Sequence, residues 1–131
     1  MVNKLDKILA EISAGELIDK ITILEIKKIK ISDENKLKEV EKELTSLNET
    51  FKKFIPDPSQ IKPLIDKLKS INLKLWDIEN GKREAEKTKD FGEKFIDLAR
   101  SVYKSNDERA KIKLEINNLL GSNIKEVKSH Y

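Results

Sequence analysis

Ser13-Ala-Gly-Glu-Leu-Ile-Asp-Lys-Ile-Thr-Ile-Leu-Glu-Ile-Lys27 decides the fold. At about 100° per residue, Leu17, Ile18, Ile21, Leu24 and Ile29 fill a wide arc beside Glu16, and Ile23 and Ile26 fall on the far side. A helix apolar on nearly all sides belongs at the centre of its fold. Its charges, Glu16, Asp19, Lys20 and Glu25, then need partners, because an unpaired buried charge is too costly to keep. The stretch therefore predicts a polar cluster enclosed by a helical bundle.

Working outward, Ser13 and Glu16 form a capping box, with Ile12 and Leu17 at the hydrophobic-staple positions, and open a helix over about 14–31. Ser32 and Asp33 are N-caps for a second helix, about 34–55, whose seam is Leu37, Val40, Leu44, Leu47, Phe51 and Phe54. Pro56-Asp-Pro-Ser59 ends it. A third helix, about 60–87, carries Ile61, Leu64, Ile65, Leu68, Ile71, Leu75 and Ile78. No large apolar residue follows before position 91, so this helix either projects into solvent or unwinds after Gly81. Asp90 and Glu93 give a capping signal for a fourth helix, about 91–120, in which the capping box Ser105-Asn-Asp-Glu108 allows a break or kink and which Gly121 closes. Residues 5–12 fit helix or strand equally well, and the last ten residues read as extended. Short connections make sequential helices antiparallel. The expectation is all-α: a single domain over 1–131, an antiparallel up-down four-helix bundle with short extended or irregular terminal segments, helix 1 the most buried.

Composition narrows the chemistry. The 131 residues include 27 basic and 24 acidic side chains, mixed along the chain, for a net charge of +3. Without cysteine, disulfides, thiolate zinc sites and cysteine nucleophiles are excluded. The lone histidine, His130, cannot make a Ser-His-Asp triad or a multi-histidine metal site within one chain. No window is apolar enough to span a membrane and no signal-peptide core is present, so a cytoplasmic protein without membrane contact is expected. Lysines unsegregated from acids, with no aromatic-basic motif, argue against nucleic acid.

Only three of the basic residues are arginine, so each one runs against the trend. The planar guanidinium fork holds a carboxylate or phosphate through two parallel hydrogen bonds, which lysine cannot do. Arg109 lies on the Phe91-Val102-Ile116 face of helix 4, beside Asn106, Lys113 and Asn117, and is expected to be buried and bonded to a helix 1 carboxylate. Arg83 continues the Asn72–Glu79 line, and Arg100 points away from the Phe91 stripe. Glu16 and Asp19 share a side of helix 1. With Asp77, Glu79 or Glu84 they compose a Mg²⁺ site of the kind helical NTP pyrophosphatases build, though Gly81-Lys-Arg83 interrupts the second acidic motif. Chorismate-mutase-like bundles bind a dicarboxylate with residues of the type of Lys20, Arg109 and Lys113, but use a helix 1 arginine that is missing here.

The helix 1 segment, Leu75-Trp-Asp-Ile-Glu79, Asp90-Phe-Gly92, Arg100-Ser-Val-Tyr103 and Asn106-Asp-x-Arg109 together resemble an uncharacterised family of short bacterial proteins, across about residues 8–131. The family is associated with cell-surface sugar and glycosyltransferase gene clusters. The resemblance implies no known activity. It points to Glu16, Asp19, Lys20, Arg100, Tyr103, Asn106, Asp107 and Arg109 as one ligand-binding cluster. Two functions are carried forward. One is a small helical binding or interaction module taking a small anionic ligand or a protein partner, without cofactor. The other is a small enzyme on a phosphorylated or carboxylated metabolite, with Mg²⁺ in the pyrophosphatase-like case. A homodimer is also expected, because Phe91 and Phe95, and Trp76 near them, face a polar stretch of helix 3 and lack cover.

Overall fold

A computed structural model describes residues 4–128; His130 and the rest of 129–131 lie outside it. It holds four helices, α1 (Ala14–Lys30), α2 (Glu34–Phe54), α3 (Lys62–Thr88, entered through a 3₁₀ turn at Ser59–Ile61) and α4 (Glu93–Leu120), and no strand among the described residues. The all-α four-helix reading holds, with helix bounds within two residues of those expected.

The caps explain the bounds. Ser13 Oγ accepts from the Glu16 amide at 3.0 Å and starts α1. Asp33 accepts from the amides of Asn35 and Lys36 and starts α2. Lys89 and Gly121, both left-handed, end α3 and α4. Chain direction follows from which residues meet. Glu16 and Asp19 reach Lys113 and Arg109, so α1 and α4 are antiparallel. Leu24 packs with Val40 and Leu44, and Gly81 lies against Leu98, so α1–α2 and α3–α4 are antiparallel as well. α1 touches all three other helices, and α2 packs chiefly on α1.

The main core gathers Ile18, Ile55, Ile61, Leu64, Leu68, Ile71, Ile112 and Ile116; a smaller one joins Leu24, Val40 and Leu44. α1 supplies the most buried residues of any helix. Its arc differs from the expectation at two points: Ile26 is buried, and Ile29 is 72% exposed because α1 ends there. The α2 seam also hands over at its end. Phe54 is exposed with the Lys53 ammonium beside its ring, and Ile55 enters the core instead.

Of the two courses open to α3 after Gly81, projection into solvent is the one taken: Lys82-Arg-Glu-Ala-Glu-Lys87 are strong helix formers and carry the helix to Thr88. Two boundary expectations are corrected. α4 does not break at Ser105, which is buried within it. It starts at Glu93, not 91, behind Gly92, and the Asp90 side chain accepts from the Gly92 amide at 3.3 Å rather than capping the helix. Residues 4–12 adopt neither helix nor strand, with Leu5, Ile8 and Leu9 exposed.

Candidate functional site

Asp19 is the centre of the buried polar network, with its side chain 1% exposed. It stands on α1 among Leu17, Ile18 and Thr22, all buried, so it has no route to water. α4 supplies the counter-charge: Arg109 Nε donates to Asp19 Oδ1 at 2.9 Å, and its NH2 group donates to Oδ2. This is the fork contact that lysine cannot make. α3 supplies Asn72, whose Nδ2 donates to Asp19 Oδ1 and to Thr22 Oγ1, both at 2.9 Å. Thr22 Oγ1 donates in turn to the Asp19 carbonyl. Hydrogen bonds from Arg109 to Asp19 hold the guanidinium pKa above its usual value; burial works against this, and the charges of Asp19 and Glu16 support it.

One turn nearer the α1 N-terminus, Lys113 Nζ bonds Glu16 Oε2 at 2.5 Å and lies 3.9 Å from Asp19 Oδ2. Lys20 Nζ sits 3.8 Å from the other Glu16 oxygen. Arg109 also reaches Asn106 Oδ1 at 3.4 Å. The structure thus gathers Glu16, Asp19, Lys20, Asn106 and Arg109 of the expected cluster. It separates Arg100, Tyr103 and Asp107, which lie on the outer side of α4; Asp107 bonds Lys128 at 2.5 Å. Arg109 bonds a helix 1 carboxylate, as expected, and Lys113 bonds Glu16, so the two cations that a chorismate-mutase-like bundle would turn toward an external dicarboxylate hold Asp19 and Glu16. Among the described residues no three acidic or histidine side chains converge to hold a metal ion, so Asp77, Glu79 and Glu84 do not join Glu16 and Asp19 in a site.

The α1 N-terminus is sealed by residues the sequence reading did not connect. Gly15 donates its amide to Asn117 Oδ1 at 2.6 Å, and the Ala14 amide donates to Ser122 Oγ at 3.1 Å. A Cβ on Gly15 would stand 2.6 Å from the Lys113 carbonyl oxygen, so only glycine lets α1 and α4 approach this closely. Ser13 Oγ donates to Glu126 Oε1 at 2.5 Å, and Asn117 Nδ2 donates to Oε2 at 3.1 Å. Burial pushes the Glu126 carboxyl pKa up, but these hydrogen bonds and the charge of Lys113 outweigh it and hold the pKa below its ordinary value.

Above the network opens a cleft of about 490 Å³ between α1, α3 and α4. Ile23, Ile26, Leu75 and Trp76 form its apolar wall. Asn72 and Arg109 belong to its lining, together with Glu79, Asn80 and Arg83. Glu79 pairs with Lys82 at 3.5 Å, whereas Arg83 is exposed and has no ion-pair partner among the described residues.

A family model matches residues 8–131. The chain belongs to that family, described as a family of unknown function (DUF6165). No curated protein and no solved structure matches the chain significantly. Family membership therefore fixes kinship over nearly the whole chain and leaves function to the geometry.

Asn72 is the network member that sequence reading missed. Its signal was a polar residue set within the apolar series Leu68, Ile71, Leu75 and Ile78. Asn117 carried the same signal beside Ile116. Nothing in the pattern of Ser122–Lys128 foretold the contacts of Glu126.

Proposed function

We propose that the protein is a binding module that takes a small anionic ligand in the cleft between α1, α3 and α4. The observation that carries this reading is Arg83, a guanidinium without an ion-pair partner among the described residues, at an apolar cleft whose other cation, Arg109, is already neutralised by Asp19. The anion would meet Arg83, and the less polar part of the ligand would lie against Ile23, Ile26 and Trp76. The cleft volume falls in the range of small-molecule sites, about 300–1,000 Å³. The inner network supports the cleft as a fixed base, since each of its charges is bonded to another side chain.

The setting we propose is the cytoplasm of a bacterium, in a surface-sugar pathway; support for it comes from the family resemblance in the sequence. The enzymatic alternative, a small bundle acting on a phosphorylated or carboxylated metabolite, shares the same cleft. Thermal melting of the full chain against nucleotides, nucleotide sugars and sugar phosphates, each with and without Mg²⁺, tests the reading. A ligand at about a hundredfold excess over its Kd stabilises the native state by about 2.7 kcal/mol. At least one compound should raise the midpoint by several degrees, and Arg83→Ala should abolish that shift while keeping the parent melting point. No shift with any of them, or a shift that survives Arg83→Ala, contradicts the proposal. Turnover of a compound that does bind would favour the enzymatic alternative.

A further inference from the structure

The floor of the cleft between α1, α3 and α4 holds hydrogen-bonding capacity that the inner network leaves unused. Asn72 is only 5% exposed and lines the cleft. The orientation of its amide is fixed, because Nδ2 donates to Asp19 Oδ1, a carboxylate oxygen that can only accept. Oδ1 is the atom left over. It accepts no hydrogen bond among the described residues and is open to the cleft. Arg109 offers the complement. A guanidinium has five N–H groups; those of Arg109 bond Asp19 through Nε and NH2 and Asn106 through NH1, which leaves two without a partner among the described residues. Asn72 Nδ2 and Arg109 Nε meet on the same oxygen, Asp19 Oδ1, so the free acceptor and the free donors are neighbours. Asp19 neutralises the guanidinium, so this floor suits a neutral group that presents an N–H beside a carbonyl.

α3 arranges the rest of the lining in a row. Trp76, Glu79, Asn80 and Arg83 follow Asn72 at four, seven, eight and eleven residues, on one face of the helix. Eleven residues are about three turns, so the Cα atoms of Asn72 and Arg83 stand about 16 Å apart along the axis. Helical side chains lean toward the N-terminus, so Arg83 reaches back toward Asn72. We propose that the ligand of this cleft is a nucleoside phosphate whose base carries a lactam edge, lying along α3 with its base inward. This rests on the reading of the cleft as an anion site. The ring N–H donates to Asn72 Oδ1, and the adjacent carbonyl accepts from Arg109. The base stacks on the Trp76 indole, as bases do on aromatic side chains. The sugar hydroxyls meet Glu79 and Asn80, and the phosphate meets Arg83. A carbonyl oxygen has two lone pairs for the two free N–H groups of Arg109, whereas the ring nitrogen at the same place in adenine or cytosine has one. A sugar phosphate or small dicarboxylate has no aromatic face for Trp76 and is too short to hold the floor and Arg83 together.

Trp76 is the only tryptophan, so its fluorescence reports the stack directly. The full chain is titrated with UMP, GMP, AMP, CMP, ribose 5-phosphate and inorganic phosphate, by fluorescence and by calorimetry. UMP or GMP should quench Trp76 saturably, with a Kd about tenfold or more below those of AMP and CMP; a preference for either one supports the proposal and tells a pyrimidine from a purine source of the same edge. Methylating the lactam nitrogen, in N3-methyl-UMP or N1-methyl-GMP, should weaken binding about tenfold or more with the protein untouched. Arg83→Ala should weaken the nucleotide about tenfold and leave the matching nucleoside unchanged. Ribose 5-phosphate that binds as tightly as the nucleotides, and depends on Arg83, would leave the anion site standing and overturn the base assignment. A methylated base that binds as the parent base does, or AMP and CMP equal to UMP and GMP, would overturn it as well. No binding by any of these probes overturns the proposal outright.

Discussion

The α3–α4 hairpin has two ends that differ in kind. Where α1 lies across it, at Asn72 and Arg109, the hairpin encloses Asp19 and Thr22, both wholly buried, beside Ile18, Leu68 and Ile116. Toward the turn that joins them the same two helices continue as an arm, and from Glu79 to Lys104 no residue is fully buried. The arm is held by Leu98 against Gly81 and by the Phe91–Phe95 stack, and between Glu79 and Arg100 it carries six basic and six acidic residues facing water. The covered end is fixed by a few buried polar groups, each with a defined partner. The arm persists because its residues favour helix locally. The lesson is that length of helix and depth of packing are separate properties: α3 and α4 are the longest helices, yet short α1 supplies the centre.

The sharpest way to break this contrast is to remove one charge from each end. Arg109→Ala leaves the Asp19 carboxylate buried without its main partner and should cost about 3–5 kcal/mol in urea unfolding. Arg109→Lys keeps the charge but loses the fork, and should cost about 1–3 kcal/mol. Arg83→Ala, in the arm, should stay within about 0.5 kcal/mol of the parent. Equal losses from Arg109→Ala and Arg83→Ala would erase the distinction between the two ends.

These residues also show how much of the molecule was legible in the sequence. The contact between α1 and Arg109 was readable because a charge recurring on an apolar face has few ways to be satisfied. The four helices were readable from their caps and periodicity. The course of α3 past Gly81 was readable only as two alternatives, because apolar periodicity stops there and only propensity, a weaker signal, remains. The buried Ser105 was misread as a cap, since Ser-x-x-Glu occurs inside helices too. The strap from Ser122 to Lys128 has no periodicity to read. Division of the expected cluster into an inner and an outer set depends on the roll of α4, which the spacing of Arg100, Tyr103, Asn106 and Arg109 alone does not fix.

The two helical glycines give a matched pair with a smaller effect. A Cβ at Gly15 meets backbone, at 2.6 Å from the Lys113 carbonyl oxygen, and also Asn117 Oδ1 at 2.9 Å. Gly15→Ala should therefore cost about 1–3 kcal/mol. At Gly81 the nearest atom is Leu98 Cδ1 at 3.1 Å, the far end of a flexible side chain. Gly81→Ala should be neutral or stabilising by up to about 1 kcal/mol, through helix propensity. Thermal melting of both variants checks the difference in sign.

A smaller effect follows acid. Folding holds the Glu126 carboxyl pKa below its usual value of 4.5, so the stability it lends is present above that pH and falls as pH drops through the folded value. Its exposure keeps the contribution under about 1 kcal/mol. Asp57, held down by hydrogen bonds from Ser59, loses its contribution in the same direction, so the readout is the difference between parent and Glu126→Gln. The parent should lose its advantage over the variant as the pH falls below 4.5. A difference independent of pH would show that Glu126 holds the strap without its charge.

Native-state amide hydrogen exchange reads both ends of the hairpin in a single molecule. Amides of α1 from Ile18 to Ile26, of α3 around Leu68–Asn72 and of α4 around Ile112–Ile116 should exchange only through global unfolding. Amides from Lys82 through the turn to Arg100 should exchange through local opening, at a markedly lower free energy. Uniform protection along α3 and α4, with the arm as slow as Asn72 and Ile112, would contradict it.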